Sequence, residues 1–281
     1  MLGAIIGDVA GSYLEVLEVK DLKSKGKRDY NDRIKILDRE VPLFNGNCSV
    51  TDDSILTIAI MDAIINNKSY YDKLKEYGLR EINLGVDKYG RSRYGPGFIK
   101  WLNGNSKGDS YGNGSAMRIS PVGYLFNTLE DVKKESLQAT LPTHNNPDSI
   151  MCAEAVSLSI FLLKNGISKI NLRRYIEANY FSLDYDLEDL RHNYYFTSKA
   201  IDSVPQAIFC FLESNDFEDT IRNALSIGGD TDTIACIAGS IAEAYYGVDE
   251  KIKNEVIKYI PNYMKDILDK FYERKKILCR K

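Results

Sequence analysis

Two short acidic segments precede strongly apolar stretches of the chain. The first reads Thr-Asp-Asp-Ser over residues 51–54, and the second reads Gly-Gly-Asp-Thr-Asp-Thr over residues 228–233. Either segment alone is explained by helix capping, because Ser, Thr and Asp are preferred N-cap residues and carboxylates favour the positive end of the helix dipole. One helix needs only one cap, however, and each segment carries two carboxylates with neighbouring hydroxyls.

The two segments together indicate a site for divalent cations. Both lead into apolar helices and should lie near the core, where several carboxylates would repel one another and lose hydration. A hard cation relieves both costs, since Mg²⁺ and Mn²⁺ take carboxylate, hydroxyl and water ligands. Helix N-termini are expected to keep these carboxylates ionised, as metal ligands must be. Four Asp and two Thr would suit two octahedral ions, provided that segments so far apart in the chain meet in space.

The N-terminal segment adds further acid and a stripe of glycine. Gly3, Gly7 and Gly11 are four residues apart in an apolar stretch, which predicts a helix face packed closely against another helix. Asp8 and Glu15 are seven residues apart, so on a helix they share one side. That side is either an ordinary solvated face or the place of a carboxylate that acts as catalytic acid or base beside metal.

Glycine is concentrated between residues 78 and 114. A glycine-rich segment loses much conformational entropy when it becomes ordered. We interpret it as a binding loop, because long irregular segments in compact domains are usually functional or disordered; a flexible surface excursion is the alternative. At its end, residues 111–118 read Tyr-Gly-Asn-Gly-Ser-Ala-Met-Arg, where backbone amides could cradle phosphate or form a plain tight turn. The interleaved aromatic residues are Tyr89, Tyr94, Phe98, Trp101 and Tyr111.

Helical patterns must position these residues. Residues 51–66, 148–165 and 232–246 are apolar nearly all round, which predicts buried helices, and Gly166 and Gly247 are placed to end the second and third. Strict alternation with a period of two is nearly absent, so the fold class is predicted as all-α. Without a linker-like break in composition, we expect a single domain over residues 1–281. Weaker helical patterns cover residues 171–180, 198–213, 216–227 and 250–278.

Composition excludes several classes of protein. The net charge of −3 gives no basic field for a nucleic-acid partner. No stretch approaches the roughly 18 apolar residues of a membrane span, and the N-terminus lacks the basic region of a signal peptide. Two histidines in the chain rule out a His-rich metal site. The cysteines lack Cys-x-x-Cys spacing and fit reduced thiols in a cytoplasmic protein; they are Cys48, Cys152, Cys210, Cys236 and Cys279.

These segments together resemble the ADP-ribosylglycohydrolase family over about residues 3–247. The family's hallmarks appear in order along the chain: Gly3 to Asp8 running on to Glu15, Thr51-Asp52-Asp53, Gly-Asn-Gly-Ser-Ala-Met-Arg at residues 112–118, Thr143-His144, and Gly-Gly-Asp-Thr-Asp-Thr at residues 228–233. The resemblance implies an orthogonal, single-domain helical bundle with two Mg²⁺ or Mn²⁺ ions in a cleft. Residues 250–281 would then form a C-terminal helical extension.

The resemblance also implies roles for particular residues. Glu15 matches an acidic residue beside the metals that helps catalysis, with Asp53 or Asp232 as alternatives for handling the proton. His144 matches a histidine of the ribose pocket, or else is a satisfied structural histidine. His192 matches no hallmark and is expected to be structural or on the surface. The implied metal ligands are Thr51, Asp52, Asp53, Asp230, Asp232 and Thr233. The implied substrate loop, which would wrap the diphosphate and distal ribose, comprises Ser110, Tyr111, Gly112, Asn113 and Gly114.

The implied function is metal-dependent hydrolysis of the glycosidic bond between ADP-ribose and a modified side chain or small molecule. The expected partner is an ADP-ribosylated protein or a small ADP-ribose conjugate, and the expected state is a cytoplasmic monomer. Two alternatives from other classes stay open. One is a binding or structural family member without activity, and the other is a two-metal phosphoesterase, because two oxygen-bound metals also suit displacement at phosphorus.

Overall fold

The computed structural model describes residues 1–20, 28–87, 90 and 92–278, apart from the side chains of residues 19, 20 and 275–278. Tyr89, Cys279 and the last residues of the expected extension lie outside the described residues. Within the described part, the chain forms α-helices without a β-strand, which confirms the all-α prediction. The helices are α1 (Leu2–Lys20), α2 (Tyr30–Ile34), α3 (Asp52–Ile65), α4 (Tyr70–Ile82), α5 (Pro96–Leu102), α6 (Ser120–Leu125), α7 (Leu129–Thr140), α8 (Pro147–Lys164), α9 (Lys169–Asn179), α10 (Leu187–Asn193), α11 (Val204–Leu212), α12 (Phe217–Ile227), α13 (Thr231–Tyr246), α14 (Glu250–Val256) and α15 (Asn262–Leu278).

The three helices predicted as buried form where their patterns placed them. α3, α8 and α13 have few exposed side chains, because apolar residues occur on every side of each helix. Gly166 and Gly247 follow the ends of α8 and α13 with φ of 89° and 77°, a conformation that glycine adopts without steric cost.

Proline interrupts two of the weaker helical patterns. The pattern at residues 250–278 is divided into α14 and α15, because Pro261 cannot donate a backbone hydrogen bond within a helix. The pattern at residues 198–213 is helical only from Val204, and Pro205 lies in the first turn of α11, where its missing N–H is tolerated. A short 3₁₀ turn, Ala200–Asp202, precedes it.

Close packing of α1 against α13 forms the centre of the fold. A Cβ atom added at Gly7 would lie 1.9 Å from the Ala235 carbonyl oxygen, and one at Gly3 would lie 2.2 Å from that of Gly239. At Gly11 an added Cβ would lie 2.5 Å from the backbone of Asp232. The glycine stripe therefore faces a second helix, as predicted, and it brings the acidic face of α1 onto the start of α13.

The C-terminal helix belongs to the same core. Met264 and Phe271 of α15 are fully buried, and the Phe271 ring packs on Tyr124 with the ring centroids 6.0 Å apart. The Tyr272 hydroxyl accepts a hydrogen bond from the Leu2 backbone N–H at 3.1 Å. α15 thus covers both α1 and α3 rather than standing apart from the bundle.

Part of the glycine-rich segment forms a helix. α5 lies in its middle, and the ammonium group of Lys75 donates to the carbonyl oxygens of Trp101 and Leu102 at 2.9 and 2.6 Å. These contacts satisfy acceptors that a helix leaves open at its C-terminus. In the residues that the structure describes, no helix has the length and apolar character needed to cross a bilayer.

Candidate metal centre

Asp8 holds the start of α3 against α1. Its carboxylate accepts hydrogen bonds from the backbone N–H groups of Thr51 and Ser54 at 3.0 and 3.1 Å, and from the hydroxyls of the same two residues. The side chain is fully buried. Thr51 is also the N-cap of α3, accepting from the Asp53 N–H at 3.3 Å. The Thr-Asp-Asp-Ser segment is therefore a cap, as its composition suggested, and it is also fixed by an acid from another helix.

Two glycines direct the start of α13 toward the same place. Gly228 and Gly229 have φ of 79° and 77°, so the chain reverses between α12 and α13 in a conformation that other residues rarely adopt. The Thr231 hydroxyl then donates to the Gly11 carbonyl oxygen at 3.0 Å. Asp230 accepts a hydrogen bond from the Asn113 side-chain amide at 2.8 Å.

The two acidic segments meet in space, as the metal-site prediction required. The Thr233 hydroxyl donates to Asp53 Oδ2 at 3.2 Å across the interface between α13 and α3. Carboxylate oxygens converge in two groups, and within each group they lie within 4.8 Å of one another. One group is Asp8, Asp53 and Asp232, and the other is Glu15, Asp230 and Asp232. Asp232 belongs to both groups and so links them.

Burial and mutual repulsion raise the pKa values of these carboxyls. Loss of hydration raises the pKa of Asp52 to about 8 and that of Asp230 to about 6, with Glu15 adding repulsion to both. The pKa values of Asp53 and Asp232 are raised well above the ordinary range by burial and then by the surrounding carboxylates. The helix N-termini therefore do not by themselves hold these pKa values in the ordinary range, because the dipole does not offset desolvation and like charge.

The donor set fits a hard divalent cation. Asp53 Oδ1 is buried and has no hydrogen-bond partner among the described residues, although a buried carboxylate oxygen is normally satisfied. The charges acting on Asp53 are carboxylates rather than cations of the chain. Carboxylate and hydroxyl oxygens together are the ligands that Mg²⁺ and Mn²⁺ prefer. A cation among them would satisfy the unpaired oxygen and remove the repulsion.

The observed cluster differs in membership from the predicted ligand set. Asp8 lies inside it, although the sequence analysis treated Asp8 only as a neighbour of Glu15 on the same helix face. The seven-residue spacing of Asp8 and Glu15 was the feature of the sequence that could have placed Asp8 in the cluster. Asp52 lies in the same cleft but in neither three-carboxylate group. Thr51 and Thr233 reach the cluster through hydroxyls bonded to Asp8 and Asp53.

A cleft of about 880 Å³ opens above the acidic cluster. Its volume suits a ligand larger than a simple ion or single sugar, since small-molecule pockets span about 300–1,000 Å³. Every predicted metal, substrate and catalytic residue lines it. They are Glu15, Thr51, Asp52, Asp53, Ser110, Tyr111, Gly112, Asn113, Gly114, His144, Asp230, Asp232 and Thr233.

Backbone hydrogen bonds from separate segments hold the loop at residues 110–114. The Asn113 N–H donates to the Ser198 carbonyl oxygen at 2.8 Å, and the Ser110 N–H donates to that of Thr143 at 3.2 Å. The Ser149 hydroxyl donates to the Gly112 carbonyl oxygen at 3.1 Å. The loop is therefore fixed between the turn before α8 and the segment before α11, rather than free at the surface.

Aromatic residues of the glycine-rich segment line the same cleft. Phe98 lies between Tyr94 and Trp101, with ring centroids 4.8 and 5.3 Å away. Tyr111 is 59% exposed. His192 lies away from the cleft, stacked on Tyr30 with ring centroids 3.9 Å apart, which agrees with the surface location expected for it. The interleaving of aromatic residues with glycine in the sequence is the feature that indicated this aromatic lining of the cleft.

The fold and the site define an all-α protein in which acidic side chains suited to a divalent cation cluster beside a cleft. The model of the ADP-ribosylglycohydrolase family matches residues 1–279. ADP-ribosylhydrolase ARH3 of Homo sapiens is 26% identical over 89% of this chain and 85% of its own length. ADP-ribosylarginine hydrolase Tri1 of Pseudomonas putida (strain GB-1) is 23% identical over 88% of this chain and 70% of its own.

A solved structure shares the architecture. An ADP-ribosylglycohydrolase-related protein complex superposes with a TM-score of 0.69, covering 98% of this chain and 95% of that chain at 18% identity, which shows the fold. The family match extends over almost the whole sequence, so the chain belongs to the ADP-ribosylglycohydrolase family. Its enzyme class is accordingly that of a glycohydrolase.

Proposed function

We propose that the protein reverses ADP-ribosylation by hydrolysing the bond between C1″ of the distal ribose and a modified side chain or small molecule, assisted by two divalent cations. The observation that carries the cation requirement is the buried, unpaired Oδ1 of Asp53 among carboxylates that repel one another. Membership of the family and similarity to named ADP-ribosylhydrolases support the reaction class.

The residues assigned to metal binding are the predicted six with Asp8 as a supporting acid. The linked groups that share Asp232 support two ions rather than one. When bound, Mg²⁺ or Mn²⁺ would orient the ribose hydroxyls and lower the pKa of a water. The proposed ligands are Thr51, Asp52, Asp53, Asp230, Asp232 and Thr233.

The substrate lies, in this proposal, along the loop at residues 110–114. Gly112 and Gly114 leave room beside the His144 ring, so a diphosphate could approach this loop closely. The N–H groups of Ser110, Gly112 and Asn113 already donate within the protein and would not be the ones that bind it. Asn113 joins this loop to the acidic centre through Asp230, so the diphosphate and the reacting ribose would be held in fixed register. The aromatic wall of Tyr94 and Phe98 offers an apolar surface in the same cleft.

Glu15 is the strongest of the three candidates for handling the proton. Asp53 and Asp232 are almost fully buried, whereas Glu15 is only half-buried and lines the cleft. A proton-transfer group must come within hydrogen-bond reach of substrate or water. The oxocarbenium-like charge that develops at C1″ during glycosidic cleavage would be stabilised by these same carboxylates.

Product analysis tests the proposal. Purified protein is incubated with arginine- and serine-ADP-ribosylated peptides in Mg²⁺, in Mn²⁺ and in EDTA, and products are identified by mass. Free ADP-ribose released only with metal is expected, and the preferred peptide identifies the linkage. AMP would indicate a phosphoesterase, and binding without any product would indicate a binding module. Near-normal release of ADP-ribose in EDTA would overturn the metal-assisted mechanism.

The proposed setting is a cytoplasmic monomer acting on modified proteins or small conjugates. The described cysteines are buried free thiols, which suits a reducing compartment. The net charge of −3 makes nucleic acid the least favoured substrate.

A further inference from the structure

The hydroxyl of Thr143 lies between a buried arginine and the cleft histidine. Arg118 Nη2 is 2.6 Å from Thr143 Oγ1, and the same oxygen is 2.6 Å from His144 Nδ1. All three residues are almost completely buried, with exposures of 1% for Arg118, 4% for Thr143 and 6% for His144. Hydrogen-bond direction in this row is therefore fixed by the protein rather than by bulk water.

Donor chemistry decides the direction of each bond. Guanidinium nitrogens only donate, so Thr143 Oγ1 accepts from Arg118. The threonine hydroxyl has one hydrogen of its own, and its other partner among the described hydrogen bonds is His144 Nδ1. If Nδ1 donated instead, the buried hydroxyl hydrogen of Thr143 would have no acceptor among the described hydrogen bonds, which is energetically unfavourable. Thr143 therefore donates, and Nδ1 accepts.

The environment also disfavours a charged imidazole. Burial lowers the pKa of His144 well below its ordinary value, and the positive charge of Arg118 lowers it further. Burial lowers the pKa of Arg118 to about 9, which still leaves the guanidinium protonated at neutral pH. A neutral ring whose Nδ1 accepts must carry its proton on Nε2.

The Nε2 atom faces the loop that the proposed function assigns to substrate. A Cβ atom added at Gly114 would lie 3.2 Å from it, and one added at Gly112 would lie 3.8 Å away. His144 lines the cleft. The loop and the histidine turn are joined by the Asn145 N–H, which donates to the Gly108 carbonyl oxygen at 2.7 Å. A donor on Nε2 is therefore held at a fixed place beside the loop.

We infer that Arg118 and Thr143 are positioning residues that hold His144 as the neutral Nε2–H tautomer, aimed at an acceptor oxygen of the bound substrate. The tautomer follows from the protein's own contacts, and only the identity of the acceptor rests on the proposed function. Through Thr143 and His144, the buried Arg118 acts on the cleft without direct contact with the substrate.

Nitrogen-15 NMR of the histidine rings tests the tautomer without activity. The chain has two histidines, so the variant His192→Gln leaves His144 as the only source of ring signals. At pH 7 we expect a protonated Nε2 and an unprotonated Nδ1. Thr143→Val, which removes the hydroxyl at similar volume, should lose this preference, whereas Thr143→Ser should keep it. A protonated Nδ1 in the otherwise unaltered protein overturns the inference, whether or not the Val variant folds.

Binding of free ADP-ribose to metal-loaded protein tests whether His144 Nε2 donates to the substrate. Thr143→Val should weaken binding about tenfold, the size of one hydrogen bond, while Thr143→Ser should restore it. Unchanged affinity in a Val variant whose tautomer has changed would show that Nε2 does not contact the ligand. A correct tautomer in a protein that binds no ADP-ribose would refute the proposed function and leave the positioning role standing.

Discussion

Two buried carboxylates on α1 have opposite surroundings. Glu18 is fully buried and forms ion pairs with Arg28 at 2.7 Å and with Arg33 at 3.2 Å. Asp8 is equally buried, but its hydrogen-bond donors are neutral and the charged groups beside it are the carboxylates of Asp53 and Asp232. Arginines of the chain therefore neutralise the carboxylate near the C-terminal end of α1, whereas further carboxylates surround the one in its N-terminal half.

The difference separates a structural cluster from a functional one. The Arg33 guanidinium also donates to the carbonyl oxygens of Tyr194 and Ile227 at 2.9 and 2.7 Å, so it ties α2 to the ends of α10 and α12. Neither Glu18 nor Arg33 lines the cleft. A buried charge that is paired is already compensated, whereas the repulsion among the buried carboxyls of the acidic centre would be offset by a cation. Substitutions at the two ends should therefore affect different properties.

The largest effect is expected from Asp232→Asn, since Asp232 belongs to both carboxylate groups. Release of ADP-ribose should fall by at least about a thousandfold, as expected when a group that organises the reacting centre is lost. Metal should no longer raise the melting temperature, because stabilisation by a ligand requires binding to the folded state. The metal-free variant should be at least as stable as the unaltered protein, since the neutral amide is buried without the proton that the carboxyl must take up to avoid desolvation and repulsion. The exposed Asp269→Asn serves as the control.

At the paired end, Arg33→Met should mainly affect stability. Glu18 keeps Arg28 as an ion-pair partner, but the buried carbonyl oxygens of Tyr194 and Ile227 lose their guanidinium donor. This should cost about 1–3 kcal/mol in the free energy of unfolding, which denaturant titration measures. Turnover per folded molecule and metal affinity should stay near those of the unaltered protein. A loss of metal binding in the folded single variant would show that the two ends are not independent.

A substitution in the glycine stripe should weaken metal binding by separating α1 from α13. Gly7→Ala places a methyl group 1.9 Å from the Ala235 carbonyl oxygen, so α1 must move away from α13. Overpacking of this kind typically costs about 1–3 kcal/mol. Metal affinity should fall as well, because Asp8 and Asp232 are held together by this contact. Gly46→Ala is the matched control, since nothing lies within 4 Å of its added Cβ. Unchanged metal affinity in Gly7→Ala would argue against the stripe as the element that positions the centre.

The smallest effect concerns pH in the metal-free protein. Burial and neighbouring carboxylates raise the pKa of Asp232 well above its ordinary value of about 4, so the folded state holds a proton that the unfolded chain has released. The contribution of this group to stability is present below the unfolded pKa and is lost as pH rises toward the folded one. The stability advantage of Asp232→Asn in EDTA should therefore grow from about pH 4 upward. Denaturant midpoints between pH 4 and pH 8 measure it, and a constant difference would contradict the raised pKa.

Some features could be predicted because they depend on near neighbours in the chain. The apolar runs of α3, α8 and α13 specify helices through contacts three and four residues apart, and the glycine stripe specifies close packing by the absence of side chains. The helix break at Pro261 was readable from the same rules but was missed, because the apolar pattern on either side was continuous.

The sequence by itself determined the buried helices α3, α8 and α13, which side chains could hold a cation and which family the motifs resemble. The tertiary structure decided that Asp8 joins the acidic cluster, that burial and like charge raise the pKa values of the carboxyls, and that Thr143 joins Arg118 to His144. These properties depend on distances between residues from separate helices and on the exclusion of water. Helix patterns act over one or two turns, whereas pKa values and hydrogen-bond directions depend on every charge and donor packed nearby.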